Sequence, residues 1–145
     1  MVKEVLLYGG IYSWSVEKFI KEVNGLQDTD ELVLRINTMG GSPEDMIGMI
    51  AKYQEFKGAK RIKVDGRAYS AGAFFLLYEN AKNIEATDQS KIMIHRASYD
   101  SYLESNKDFM TPERTKVLED VNLKARKALE LKISNEDFVK VTGVS

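Results

Sequence analysis

The sequence contains no cysteine and only one histidine among its 145 residues. The absence of cysteine excludes disulfides, thiolate metal sites and cysteine nucleophiles. A metal site built from several histidines of one chain is excluded for the same kind of reason. Any mechanism that needs an imidazole near neutral pH must therefore use His95.

Proline and glycine are also scarce, with 2 and 10 residues, which excludes collagen and low-complexity chains. The 21 basic and 22 acidic residues nearly cancel, so no electrostatic field recruits nucleic acid or an anionic membrane. No apolar run approaches the roughly 20 residues of a membrane span, and the N-terminus lacks the apolar core of a secretory signal. The composition, 43% apolar and 30% charged, is typical of a globular protein. We expect a single cytoplasmic domain over residues 1–145.

Strand-like and helix-like patterns alternate along the first two-thirds of the chain. Strands are predicted over residues 2–7, 32–36, 61–64, 84–86 and 91–94. The predicted helices begin at Ser13 or Ser15, at Ser42–Pro43 and at Ala71, and the first two end at Asn24–Gly25 and Gly58. Strands separated by helices and joined by short connections predict an α/β fold with a mainly parallel sheet.

The pattern changes after residue 110. Thr111–Pro112 predicts the start of a helix of about five turns, with an apolar stripe that includes Val117, Leu118 and Val121. Such a helix is long for a small α/β domain, so it could project from the domain or pack between subunits. A shorter helix is predicted from Ser134 to Gly143.

Three features follow predicted parallel strands. They are the Gly40–Gly41 pair, Ser70 at the start of a helix, and His95. Each alone favours a structural role, as a tight turn, a helix cap and a satisfied structural histidine. The carboxyl ends of parallel strands meet at one edge of a sheet, where binding crevices form. A serine nucleophile, a histidine base and glycine N–H groups that hold an oxyanion together indicate acyl transfer.

The segments around these residues carry a family resemblance. Residues 37–41 (NTMGG) match an N-S-P-G-G segment, residues 66–70 (GRAYS) match G-x-A-x-S, and residues 92–95 (IMIH) match I-M-I-H. Over nearly its whole length the chain resembles the ClpP proteolytic subunit of the Clp proteases, particularly the shorter ClpP-like proteases of phages and prophages. Because the three motifs keep their order and spacing, the resemblance is more specific than any one of them.

The resemblance implies a ClpP/crotonase-like fold of repeated ββα units, with a head over about residues 1–96 and a long-helix handle over about 97–133. It implies a serine endopeptidase in which Ser70 attacks the peptide carbonyl and His95 accepts the serine proton. No metal and no cofactor are implied. The implied site residues are Ser70 and His95 for catalysis, Gly41 and Ala71 for the oxyanion hole, and Gly40, Ser42 and Ala97 for substrate binding.

The resemblance also implies partners. Family members form heptameric rings around a closed chamber that admits peptide or protein substrates, and an ATP-driven unfoldase supplies folded ones. We therefore expect a homo-oligomer, either a dimer or a ring. A phage origin would suggest processing of capsid or scaffold proteins.

The family's third triad residue, an aspartate, has no counterpart in this chain. Its position falls at or past Ser145, so we expect the C-terminal part of the domain to follow there, unless a Ser–His dyad suffices. Asp88, Asp100 and Asp108 could orient His95, but none matches the family motif. Two alternatives stay open: a catalytically weak structural or assembly subunit, and a crotonase-like acyl-CoA enzyme. The spacing of Ser70 and His95 favours the protease.

Overall fold

A computed structural model describes residues 1–94 and 105–130 of the chain, with only the backbone of residues 121 and 124–130. The chain divides into two compact units, Met1–Met93 and Ile94–Ser145. No helix in the described ranges is long and apolar enough to cross a membrane.

The first unit contains a five-stranded sheet in which every pairing is parallel. The strands follow the order β1-β2-β3-β4, and β5 pairs with the carboxyl half of β3. The predicted α/β class and parallel sheet are thus confirmed. The elements are β1 (Val2–Ile11), α1 (Ser13–Asn24), β2 (Glu31–Gly41), α2 (Pro43–Glu55), β3 (Ala59–Tyr69), α3 (Ala71–Leu77), a 3₁₀ turn (Ala81–Asn83), β4 (Ile84–Ala86) and β5 (Lys91–Met93).

The core lies between one face of this sheet and helices α1, α2 and α3. Apolar side chains from alternate positions of the strands point into it, and Val33, between two such positions of β2, is buried as well. At its centre the Phe75 ring packs against Phe19, with centroids 6.2 Å apart, and edge-on against Tyr53 at 6.3 Å. Since all seven residues of α3 are buried, the helix that follows Ser70 is anchored within this core.

The three long strands extend further than predicted. β1 was predicted to end at Leu7 and β2 at Ile36, but the strands continue to Ile11 and Gly41. The β1–β2 ladder shifts register between Tyr8 and Gly10, next to the positive-φ residues Gly9 and Gly40, and the β2–β3 ladder shifts between Ile36 and Thr38. β3 likewise continues to Tyr69, directly before the candidate serine.

At the helix starts one prediction is confirmed and another is wrong. Ser42 caps α2 as predicted, with its Oγ accepting from the Asp45 N–H at 3.3 Å, and Pro43 begins the helix. Neither Ser13 nor Ser15 is the N-cap of α1; Tyr12 is, and the Ser15 hydroxyl lies one turn inside, where it accepts from the Tyr12 N–H.

The end of α2 was predicted wrongly at Gly58, because the helix ends at Glu55. The Lys60 ammonium group donates to the carbonyl oxygens of Tyr53, Gln54 and Phe56, each at 3.0 Å. These bonds satisfy the carbonyl groups that a helix end leaves without intrahelical partners.

The second unit contains the long predicted helix, α4 (Pro112–Glu130). The Thr111 hydroxyl accepts from the Arg114 N–H at 3.2 Å, so the predicted helix start is confirmed. Leu123 is half exposed on this helix. The helix predicted from Ser134 lies outside the described residues, and the head and handle boundaries stay predictions.

Candidate active site

Ser70 occupies a sharp turn between β3 and α3. Its φ of 56° and ψ of −119° make it the one non-glycine residue with positive φ among the described residues. Such a conformation costs an L-residue on the order of 1–3 kcal/mol and persists only where the surroundings impose it. Here the Ser70 N–H donates to the Met93 carbonyl oxygen at 2.8 Å, and the Ser70 carbonyl accepts from the Ala73 N–H at 3.0 Å. A strained strand-to-helix turn is the means by which hydrolases expose a nucleophilic serine.

The Ser70 hydroxyl does not cap the helix that it precedes. Ser70 is the N-cap residue of α3 by position, yet its side chain makes no capping hydrogen bond. A serine at this position most often caps the helix, and Ser70 does not have that role. The Ser70 hydroxyl is therefore not engaged in a capping hydrogen bond.

The Gly-Gly segment of β2 lies directly against Ser70. A Cβ built at Gly40 would lie 2.8 Å from the Tyr69 carbonyl oxygen, 2.9 Å from the Ser70 Cβ and 3.3 Å from the Ala71 nitrogen. Gly40 also has a φ of +98°, a region that side chains rarely tolerate. Two predicted site segments, 30 residues apart in sequence, thus meet backbone to backbone.

The backbone N–H group of Ala71 lies beside this contact. Ala71 is the first residue of α3, so its N–H has no intrahelical acceptor. The Ser42 N–H donates to the Ile11 carbonyl oxygen of β1 at 2.8 Å. Gly41, which precedes Ser42, pairs with Ile11 in the register of β1 and β2. In the described part of the chain the β2–β3 ladder ends at Thr38–Ala68, so Gly41 has no register partner on β3.

Gly40 and Ser42, which were predicted to bind substrate, make hydrogen bonds within the fold. The Gly40 N–H donates to the Thr38 hydroxyl at 3.1 Å. The N–H and hydroxyl of Ser42 are both engaged, the first with β1 and the second with the start of α2. A direct role of either residue in substrate binding stays a prediction.

His95 and Ala97 lie outside the described residues, and so does Asp100. His95 is the second residue after Met93 in the sequence, and Met93 is the residue whose carbonyl accepts the Ser70 N–H. Asp88 and Asp108, the other suggested partners of His95, are both exposed.

Sequence reasoning assigned no role to Thr38, although it is part of the matched segment. Its side chain is fully buried, and its hydroxyl donates to the Gly9 carbonyl oxygen. The signal was present in the sequence: Thr38 continues the inward-facing series of Leu32, Leu34 and Ile36, where a polar side chain needs a hydrogen-bond partner.

Comparison with known proteins relates the chain to a family by sequence and to solved structures by fold. Residues 2–134 match the sequence model of the family described as Clp protease. The structure is similar to that of a mutant ClpP1 from Listeria monocytogenes, with a TM-score of 0.70, 23% sequence identity, and coverage of 86% of this chain and 71% of that one. At this identity the structural likeness establishes the fold. No curated protein sequence matches the chain significantly.

Proposed function

We propose, from the premise that the chain belongs to the Clp protease family, that it is a serine endopeptidase with Ser70 as its nucleophile. The family assignment supports a serine-protease type of function, and it favours this function over the acyl-CoA chemistry of crotonase-like enzymes. The conformation of Ser70 is the observation that carries the assignment of the nucleophile. It combines positive φ, a position between strand and helix, and a hydroxyl that does not cap the helix.

In the proposed reaction the Ser70 Oγ attacks the carbonyl carbon of the scissile peptide bond. His95 accepts the serine proton and then donates it to the nitrogen of the leaving amine as the C–N bond breaks. Water, deprotonated by His95, hydrolyses the resulting ester and releases Ser70 with its proton restored. His95 is proposed as the base because it is the sole histidine and follows Met93, which contacts Ser70, by two residues.

We propose that the N–H groups of Gly41 and Ala71 hold the negative oxygen of the tetrahedral intermediate. The support is the close contact of Gly40 with Ser70 and Ala71, together with the position of Ala71 at the start of α3, where its N–H has no intrahelical acceptor. Donors fixed before the reaction stabilise developing charge without reorganisation, and loss of one costs on the order of 10²–10³ in turnover.

A fluorophosphonate probe tests the nucleophile. It should label the wild type and the control Ser13→Ala, whose serine is exposed on α1, and should not label Ser70→Ala. Hydrolysis of a fluorogenic peptide should follow the same pattern, and His95→Ala should abolish both signals. Circular dichroism checks that each variant is folded. Labelling that persists in Ser70→Ala rejects Ser70 as the nucleophile.

The competing proposal is a catalytically weak structural or assembly subunit. The same experiment separates the two. A folded wild type that is neither labelled nor active in its assembled form would favour the assembly role.

We propose that the chain assembles through the handle, about residues 97–133, into a dimer or ring around its substrate. The half-exposed Leu123 on α4 supports a partner there, because apolar side chains of long helices normally face a core or another subunit. Degradation of folded proteins would then require an ATP-driven unfoldase, since the sequence has no phosphate-binding loop motif. Sedimentation should detect oligomers in the wild type and in Glu119→Gln, and weaker association in Leu123→Glu. A monomer at every concentration would contradict this proposal.

A further inference from the structure

Thr38 joins three elements around the proposed oxyanion hole through one small side chain. Its fully buried hydroxyl donates to the Gly9 carbonyl oxygen of β1 and accepts from the Gly40 N–H at 3.1 Å. Both hydrogen bonds lie beside the register shift of the β1–β2 ladder. The hydroxyl therefore fixes the backbone of β2 where regular pairing is interrupted.

The methyl group of Thr38 contacts the helix that follows the nucleophile. A Cβ at Gly72 would lie only 2.2 Å from the Thr38 Cγ2, so the second residue of α3 packs directly on this methyl group. Thr38 thus contacts both proposed sources of oxyanion donors, the Gly40–Gly41 segment and α3.

Consecutive glycines have no side chain to restrict their backbone, so an outside contact must select one conformation. The hydrogen bond from the Gly40 N–H to the Thr38 hydroxyl is such a contact. It holds the residue directly before Gly41. We infer that Thr38 is a positioning residue of the active site: its hydroxyl holds Gly40 at positive φ and thereby directs the Gly41 N–H toward the oxyanion. This inference rests on the proposed function, because it assigns a use to the Gly41 N–H.

Two substitutions distinguish the role of the Thr38 hydroxyl from the role of its methyl group. Thr38→Val keeps the shape and removes the hydroxyl; kcat for a fluorogenic peptide should fall about 10- to 100-fold, less than for a donor that is lost entirely. KM should stay within about twofold, since the oxyanion forms only after substrate has bound. Thr38→Ser keeps the hydroxyl and should restore kcat to within about threefold of the wild type. Thr29→Val, in an exposed turn at the other end of β2, is the matched control.

Amide hydrogen exchange at Gly40 and Gly41 gives a second readout that needs no activity. Exchange should be faster in Thr38→Val than in the wild type and in Thr38→Ser. If the wild type lacks Ser70-dependent hydrolysis, the proposed function fails, and exchange alone decides whether Thr38 positions the glycines.

In an active protein, a Thr38→Val variant with wild-type kcat overturns the inference. So does a Thr38→Ser variant that loses as much kcat as Thr38→Val. If Thr38→Val does not fold, Thr38→Ala replaces it and is compared with Thr38→Ser by the same criteria.

Discussion

Gly40 and Ser70 are in backbone contact so close that no side chain fits between them. The hypothetical Cβ of Gly40 would overlap the Ser70 Cβ and the carbonyl oxygen of the preceding residue. The atoms that would have to move are backbone atoms or a Cβ attached to a strained turn, and not the end of a flexible side chain. The nucleophile's turn and the glycine segment therefore form one rigid contact.

The first prediction is that Gly40→Ala strongly reduces peptide hydrolysis. The added Cβ clashes with the Ser70 turn, and alanine is strained at a φ of +98°. We expect a loss of at least about 100-fold, comparable to removal of an oxyanion donor. The matched control is Gly48→Ala within α2, where the new Cβ would meet only the Val16 Cγ1, at 3.9 Å. That variant should keep its activity and gain roughly 0.5–1 kcal/mol of stability. Wild-type kcat in Gly40→Ala would refute the steric argument.

The sequence predicts the order of strands and helices and the parallel sheet, because hydrophobic patterning is local. The Ser42–Pro43 helix start is predicted for the same reason. The strand ends are mispredicted because the register shift that keeps Gly40 and Gly41 paired with β1 depends on the neighbouring strand and has no local signature.

The candidate site was likewise predicted from the sequence only in part. Motif spacing predicts Ser70 and the glycines. The positive φ of Ser70 depends on contacts with Met93 and Gly40, which come from other strands. Thr38 acts through Gly9 and Gly72, and local patterning contains no information about contacts so distant in sequence.

The second prediction concerns the contact between Gly72 and Thr38. Gly72→Ala should destabilise the fold by about 1–3 kcal/mol, because its Cβ would overlap the Thr38 Cγ2 in a packed core. Thr38→Ser removes that methyl group and should make room for the new Cβ. The double variant should therefore be more stable than Gly72→Ala alone, as measured by urea unfolding in a double-mutant cycle. Strict additivity of the two changes would show that the clash lies elsewhere.

The third prediction concerns the lysine at the end of α2. Lys60→Met should reduce the free energy of unfolding by about 1–2 kcal/mol, because three carbonyl groups lose a charged donor near the negative end of the helix dipole. The Lys60 ammonium also lies 5.1 Å from the centre of the Tyr53 ring, a second contact that methionine loses. Lys57→Met, at an exposed position three residues earlier, controls for the loss of one positive charge. Equal effects of the two substitutions would contradict the capping role.

The final prediction is a pH dependence of stability that arises from Asp65 on β3. Arg35 donates to both carboxylate oxygens of Asp65, at 2.7 and 2.8 Å, and the Tyr8 hydroxyl donates at 2.5 Å. The Arg35 guanidinium, assisted by Tyr8, holds the pKa of Asp65 below its usual value against the opposing effect of partial burial. The hydrogen bond to Asp65 raises the pKa of Tyr8 above its usual value.

The two pKa shifts contribute stability that is lost at opposite ends of the pH range. A lowered carboxyl pKa adds stability that is present above about pH 4 and is lost as the pH falls through the folded-state value. A raised phenol pKa adds stability that is present below about pH 10 and is lost as the pH rises through the folded-state value. Asp65→Asn should therefore flatten both limbs of a profile of urea midpoint against pH. Tyr8→Phe should flatten the alkaline limb and leave most of the acid limb, because the Arg35–Asp65 pair remains. An acid limb that is unchanged in Asp65→Asn would mean that other carboxylates dominate acid unfolding.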